Sequence, residues 1–291
     1  MTAVAPALDP RALARRRARR RLTARPLSVL GAVGAAVAVL VAVLAPLIAP
    51  HDPAAANFDV VLAPPLQGGH LLGTDQLGRD VLSRMFYGAR STLAAGVLST
   101  LLGTVVAVPI GLVAGYFRRW ADTVISRVVD LVLSFPFLVL AVGLAAIFGP
   151  SLTNAILALG IAQIPIVTRV VRAEVMAQRD LEYVQAETVN GTPTGVVLFR
   201  RILPNVLNPI VVQASVTIPT AIVGAAILSF LGLGVQPPTA DWGNMLAEAQ
   251  NYLSQAPWLG VFPGVAIFLT TLSFNLLGDG VRDALDPRMQ P

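Results

Sequence analysis

The sequence predicts an all-α integral membrane protein with six membrane-crossing helices and both termini in the cytoplasm. Three observations predict it. Of 291 residues, 55% are apolar and only 13% charged, about half the charge of an ordinary soluble domain. Mean hydropathy is +0.71, which places the chain among membrane proteins. And the arginines, which supply all 21 basic residues, fall on alternate sides of the apolar stretches.

Each span is predicted from an apolar run near the roughly 20 residues that cross the hydrocarbon. The first runs from Leu27 to Ala49, interrupted only by Pro46. Arginines before an apolar run resemble a signal peptide, but this run is too long and lacks a small-x-small cleavage site, so an uncleaved anchor is expected. The second runs from Ser91 to Phe117 and contains the pair Gly111 and Gly115. This GxxxG spacing allows close helix approach, though it is frequent by chance in glycine-rich spans. The third covers Val128 to Phe148 with Pro136 inside, and the fourth Leu152 to Thr168 with Pro165. The fifth covers Val206 to Leu233 with Pro209 and Pro219, and the sixth Trp258 to Leu277. Prolines are tolerated in spans when neighbouring helices satisfy the freed carbonyls, which favours a packed bundle.

With residues 1–26 inside, the inside segments 1–26, 118–127, 169–205 and 281–291 hold 18 arginines, and the outside segments 50–90, 149–151 and 234–257 hold 3. This asymmetry sets the orientation. The chain thus divides into a cytoplasmic arginine-rich tail (1–26), a first span (27–49), an extracytoplasmic segment (50–90), a five-span core (91–280) and a cytoplasmic C-terminus (281–291). The tail carries eight arginines against Asp9 and is expected to lie against anionic lipid; nucleic-acid binding is not expected.

Composition also excludes chemistry. There is no cysteine and no lysine, so disulfides, thiolate metal sites, a Walker A loop and Schiff-base chemistry are impossible for this chain. G-x-S-x-G and HExxH are absent, and an aspartyl pair of Asp130 and Asp279 would sit at the predicted boundary, where water keeps both ionised. No catalytic residues, bound cofactor or metal are expected.

Three polar segments remain. In the outside segment, Arg79 to Ala89 reads as a short amphipathic helix at the surface, with Asp80 and Arg84 spaced to pair. His70, Asp75 and Asp80 form a weak metal pattern that capping and pairing explain better. The last span is expected to end through Gly278 and Gly280, followed by a short turn carrying Arg282, Asp283 and Asp286. The inside loop, 179–205, reads as helix, glycine turn, helix. Asp180 would cap the first helix, Gly191 close it, Thr192 cap the second with Pro193 at its first position, and Pro204 end it. The first helix presents Leu181, Tyr183, Val184 and Gln185. A handle for another protein and a self-packed loop read equally well from the residues alone.

That loop resembles the EAA loop of bacterial ABC importer permeases, in which E-A-A, three residues, Gly and nine residues lead to I-x-L-P. Gly191 and Leu203-Pro204 match at that spacing, while Gln185-Ala186-Glu187 stands for the triplet and Arg201 for the isoleucine. The segments 72–96, 168–186, 229–246 and 275–287 are similar to the C-type permease subunits of dipeptide, oligopeptide and nickel importers, over residues 27–288. The resemblance implies a type I ABC importer permease fold and a multi-pass place in the bacterial cytoplasmic membrane. It implies one half of a pathway for di- or oligopeptides, with nickel or another small solute as alternatives. It also implies partners: a homologous B-type permease, two cytoplasmic ATPase subunits that bind ATP and Mg, and an extracytoplasmic substrate-binding protein. Leu181, Tyr183, Val184, Gln185, Ala186, Glu187, Gly191, Pro193, Leu203 and Pro204 would then form the ATPase-coupling loop. Ser215 and Thr217 are polar enough to face a pathway, although helix–helix hydrogen bonding explains them as well. Two other classes stay open from the residues: a membrane scaffold or sensor recruiting a cytoplasmic partner, and a secondary transporter. The latter calls for ionisable groups at mid-membrane, which the spans almost entirely lack.

Overall fold

The computed structural model describes residues 25–285; most of the arginine-rich tail and the last six residues lie outside them. The described residues are mostly helical, and no strands occur among them. Helix α1 (Pro26–Ile48) starts on a proline, whose missing N–H costs nothing in a first turn. Helix α2 (Val81–Tyr116) has 36 residues and is about 54 Å long at 1.5 Å per residue. Then come α3 (Trp120–Leu133), α4 (Phe137–Phe148), α5 (Leu152–Arg179) and the short α6 (Glu182–Val189). Helix α7 (Thr194–Phe230), the short α8 (Trp242–Ala249) and α9 (Trp258–Leu285) complete the bundle.

Five helices (α1, α2, α5, α7, α9) are long and apolar enough to cross a membrane, and the third predicted span is different. It is the pair α3–α4, bent by 89° at the break. The reason is Phe135-Pro136: the proline ring disfavours helical backbone at the residue before it, and Pro136 adopts ψ 134° and starts α4 as its N-cap. Other boundaries move because hydropathy ends before the helix does. The expected separate surface helix over Arg79–Ala89 is the first part of α2, so the 90/91 division falls inside a helix. The fourth span continues to Arg179, and the sixth runs through Gly278 and Gly280 to Leu285.

Helix α2 is the central staff. Its Gly111 and Gly115 face α5 so closely that an added Cβ would lie 2.6 Å from Val171 Cβ and 2.7 Å from Val175 Cβ respectively. The GxxxG pair therefore packs a helix in this fold. Three apolar clusters fill the bundle. One joins α1, α2, α7, α8 and α9 around Val81, Ile222, Trp242 and Phe274. A second joins α2, α5, α6 and α7 around Val171, Val184, Val197 and Ile202. The third joins α4, α5 and α7 around Ala141, Leu159 and Leu228. Leu30, Val43 and Leu47 of α1 and Phe268 of α9 stay exposed, as expected of faces that meet lipid rather than water.

The two ends of the bundle carry different segments. Arg25 before α1 is ion-paired with Asp283 near the end of α9, and Arg118 after α2 donates to Asp180 after α5 at 2.8 Å. At the other end His51 N–H donates to Ser83 Oγ at 3.0 Å, and Trp258 Nε1 donates to the Thr74 carbonyl at 3.5 Å. This grouping is the one that alternate crossing of the spans requires.

Candidate functional site

The elbow between α5 and α7 is built from local signals. Leu181, not Asp180, is the N-cap of α6, and Asp180 closes α5 instead. Gly191 adopts φ +74°. Its N–H donates to the Thr188 carbonyl at 3.1 Å, and Thr192 N–H to the Glu187 carbonyl at 3.0 Å. These two bonds form a Schellman closure, which satisfies carbonyls that the end of α6 would leave free. Thr192 does not cap the next helix: its hydroxyl donates to Glu187 Oε2 at 2.7 Å, and Pro193 is the N-cap of α7. Nor does Pro204 end that helix. Residues Val197–Ile202 take π-type hydrogen bonding. The wider turn accommodates a proline that cannot donate to the preceding turn, and α7 continues to Phe230.

Val184 is 1% exposed and packs with Val197, Leu198 and Ile202, a burial that contributes about 1.5–3 kcal/mol and fixes α6 onto α7. Arg201 adds an ion pair to Glu187 at 2.6 Å, and Asn205 Nδ2 donates to the Tyr183 hydroxyl at 3.0 Å. Leu181, Tyr183, Gln185, Ala186, Gly191, Pro193 and Pro204 remain exposed, while Glu187 and Leu203 are half-buried. Val189, at 87% exposed, is an apolar side chain held almost entirely free at the tip. The elbow borders a cleft of about 570 Å³ lined by Tyr116, Arg118, Arg119, Arg179, Val184 and Val189. The Arg179 guanidinium lies 5.5 Å from the Tyr116 ring centroid there, a cation–π distance.

A second cleft, of about 520 Å³, opens where the α3–α4 break faces α7 and α9. Pro136, Phe137, Pro219, Thr220, Thr271 and Asn275 line it. Thr271 Oγ1 is buried with no hydrogen-bond partner, although buried hydroxyls normally find one. Ser215 and Thr217 do not line this cleft. Ser215 Oγ donates to the Val212 carbonyl at 2.8 Å, and a Cβ on Gly278 would lie 3.3 Å from the Ser215 carbonyl, so this turn packs against α9. Thr217 Oγ1 donates to the Gln213 carbonyl at 2.7 Å. The polar residues facing the cleft were missed from sequence. The available signal was Pro136 and Pro219, two prolines in separate apolar runs, with polar residues beside them.

The end opposite the elbow holds a buried charge network. Arg84, 2% exposed, is paired with Asp75 and donates to Glu248 at 2.8 Å; Arg79 donates to Asp75 at 2.7 Å and to Glu248 at 2.9 Å. The expected Asp80–Arg84 pair does not form, because Asp80 turns to cap α2, accepting from Ser83 N–H at 2.8 Å. Burial alone would raise the Glu248 carboxyl, but the Arg84 hydrogen bond and the charges of Arg84 and Arg79 hold it below the ordinary range. Burial pushes the Asp241 carboxyl up, against hydrogen bonds from Thr92 and Ser229. Asp241 caps α8, accepting from Gly243 N–H at 2.9 Å. The network ties the 70–84 segment to α8, across more than 160 residues of sequence.

Known proteins place this architecture. Residues 107–291 match the family described as binding-protein-dependent transport system inner membrane component, and residues 14–65 match the N-terminal transmembrane domain of oligopeptide transport permease C. The dipeptide transport system permease protein DppC of Alkalihalophilus pseudofirmus is 46% identical over 221 residues, covering 76% of this chain and 73% of that protein. DppC of Escherichia coli strain K12 is 47% identical over 246 residues, covering 83% and 82%. The glutathione transport system permease protein GsiD of Pectobacterium atrosepticum is 46% identical over 221 residues, covering 76% and 73%. Among solved structures, a chain of the inward-facing MetNI methionine ABC transporter superposes with a TM-score of 0.56 at 21% identity, covering 70% of this chain and 96% of that one. That likeness shows the type I importer fold.

Proposed function

Because the chain belongs to the C-type permeases of binding-protein-dependent importers, multi-pass proteins of the bacterial inner membrane, we propose that it forms half of an import pathway for di- and tripeptides. In this reading the elbow end faces the cytoplasm, as the arginine asymmetry favours. The exposed face of α6 docks on one of two ATPase subunits. A homologous B-type permease closes the pathway beside the α7–α9 cleft, and an extracytoplasmic binding protein delivers substrate to the opposite end. ATP and Mg bind the ATPase subunits, since this chain has no lysine for a phosphate loop.

The observation that carries this reading is the join between elbow and cleft. Val184 and the Glu187–Arg201 pair fix α6 to the start of α7, and α7 runs without interruption for 37 residues to Phe230. It carries Pro219 and Thr220 into the cleft. In this reading a displacement of α6 is carried along α7 to the cleft wall. Thr220, Thr271 and Asn275 offer uncharged donors and acceptors, which suit peptide groups whose sequence varies. The names of the relatives support the peptide class.

The test is reconstitution with the subunits encoded beside this chain, followed by uptake of labelled dipeptide. ATP-dependent uptake that unlabelled di- and tripeptides suppress is the expected result. Uptake of Ni²⁺ with indifference to peptides would overturn the substrate class.

A further inference from the structure

We propose that His51, His70 and Asp80 form a divalent transition-metal site, suited to Zn²⁺, at the end of the bundle opposite the elbow. These residues come from three separate pieces of chain. His51 lies just beyond α1, His70 is in the segment that follows, and Asp80 caps α2. Their ligand atoms all lie within 4.8 Å of one another. His70 Nδ1 is 2.9 Å and His51 Nδ1 3.7 Å from the same oxygen, Asp80 Oδ1. Tetrahedral Zn²⁺ with bonds of about 2.0–2.1 Å sets its ligand atoms roughly 3.3 Å apart. The two separations from Asp80 straddle that value, and the set as a whole spans up to 4.8 Å, so the exposed His51 ring must swing inward to take the ion.

The surroundings are those of a built site. Asp80 and His70 are buried, and His51 is exposed, which leaves a solvent-facing position for a water or a fourth ligand. Ser83 holds the other carboxylate oxygen: its N–H and hydroxyl donate to Asp80 Oδ2 at 2.8 and 2.7 Å. The same hydroxyl accepts from His51 N–H at 3.0 Å. Ser83 thus turns Asp80 Oδ1 toward the imidazoles, as outer-shell partners do in metal sites, and anchors the backbone at His51. A cap alone needs Ser83 N–H and accounts for neither histidine. Asp75, which spacing alone would add to the set, is committed to Arg79 and Arg84. Two nitrogens and one oxygen favour Zn²⁺ over Ca²⁺ or Mg²⁺, which take oxygen ligands. The ion would fasten the exit of α1 to the start of α2. This inference does not depend on the peptide reading.

The experiment uses the tag-free full-length chain purified in detergent, stripped with chelator and titrated with Zn²⁺ against a chromophoric competitor. Co²⁺ absorption in the visible reports coordination geometry. One Zn²⁺ per chain is expected, with tetrahedral Co²⁺ bands. Ser83→Ala weakens binding by about 10- to 100-fold, and His51→Ala by more. Because His51 is exposed, its variant keeps the fold, which size-exclusion chromatography verifies. A wild-type chain that takes up no Zn²⁺, or His51→Ala binding as tightly as wild type, would overturn the proposal and leave a hydrogen-bonded cap.

Discussion

Replacing Gly191 with valine isolates what the elbow's geometry does. At φ +74° a side chain meets the following carbonyl, which costs about 1–2 kcal/mol for an ordinary L-residue and more for a β-branched one. An added Cβ has no neighbour within 4 Å, so the cost is purely conformational. A penalty of that size lowers the ratio of closed to open elbow by roughly 5- to 30-fold. It opens the two bonds from Gly191 and Thr192 to the end of α6 and weakens the Thr192–Glu187 contact. The bundle is remote from the change and stays folded. The assay is peptide uptake together with substrate-stimulated ATP hydrolysis in proteoliposomes. Gly191→Val should lose most uptake and most stimulation at normal abundance. Gly191→Asn, which tolerates the left-handed region better, should fall between it and wild type. Gly195→Ala is the control, since Gly195 also has open space around it but no positive φ. Wild-type coupling in Gly191→Val, or equal loss in Gly195→Ala, would refute the reasoning.

Further predictions concern the bundle and the cleft. Gly111→Val drives a side chain into Val171, where even a Cβ comes within 2.6 Å; overpacking of about 1–3 kcal/mol should lower the thermal midpoint in detergent, whereas Gly143→Ala, with nothing nearby, should not. Arg84→Met leaves Asp75 and Glu248 short of a buried partner and should cost about 3–5 kcal/mol, against about 0–1 kcal/mol for Arg118→Ala at its exposed ion pair with Asp180, both read from unfolding midpoints. The folded-state Glu248 carboxyl lies below its unfolded value of about 4.5, so its contribution is present above that pH and is lost as pH falls through the folded value. Glu248→Gln should accordingly flatten the acid side of the stability profile. Thr271→Val and Asn275→Ala should raise the KM for peptide uptake while leaving basal ATP hydrolysis unchanged.

What the sequence made legible follows the range of the forces involved. Apolar runs near 20 residues located five long helices and the bent pair at the third position, and Gly191-Thr192-Pro193 located the elbow, because hydropathy and left-handed closure are local properties. Pro136 stands inside the third apolar run as a proline that a span can tolerate; the hydropathy of that run does not say that the proline breaks the helix and turns the chain by 89°. The π turn before Pro204 is a compromise between one proline and a continuous helix, and no single residue announces it. Helical spacing pairs Arg84 with Asp80, its neighbour at i−4, whereas its partners are Asp75 and a glutamate 164 residues away. The polar wall of Thr220, Thr271 and Asn275 likewise assembles only when α7 and α9 meet. The GxxxG pair at Gly111 and Gly115 was visible but ambiguous, and the closeness of Val171 and Val175 gives it its role.

The central claim is that the exposed face of α6 is where the ATPase attaches. The absence of cysteine from the chain makes a direct test simple. Single cysteines at Gln185, on the elbow, and at Leu66, an exposed residue toward the other end of the molecule, carry a photoactivatable maleimide crosslinker in the assembled complex. The account predicts that Gln185→Cys crosslinks to an ATPase subunit, with a yield that changes on ATP binding, and that Leu66→Cys does not. Crosslinking of the ATPase from Leu66 and not from Gln185 would contradict it.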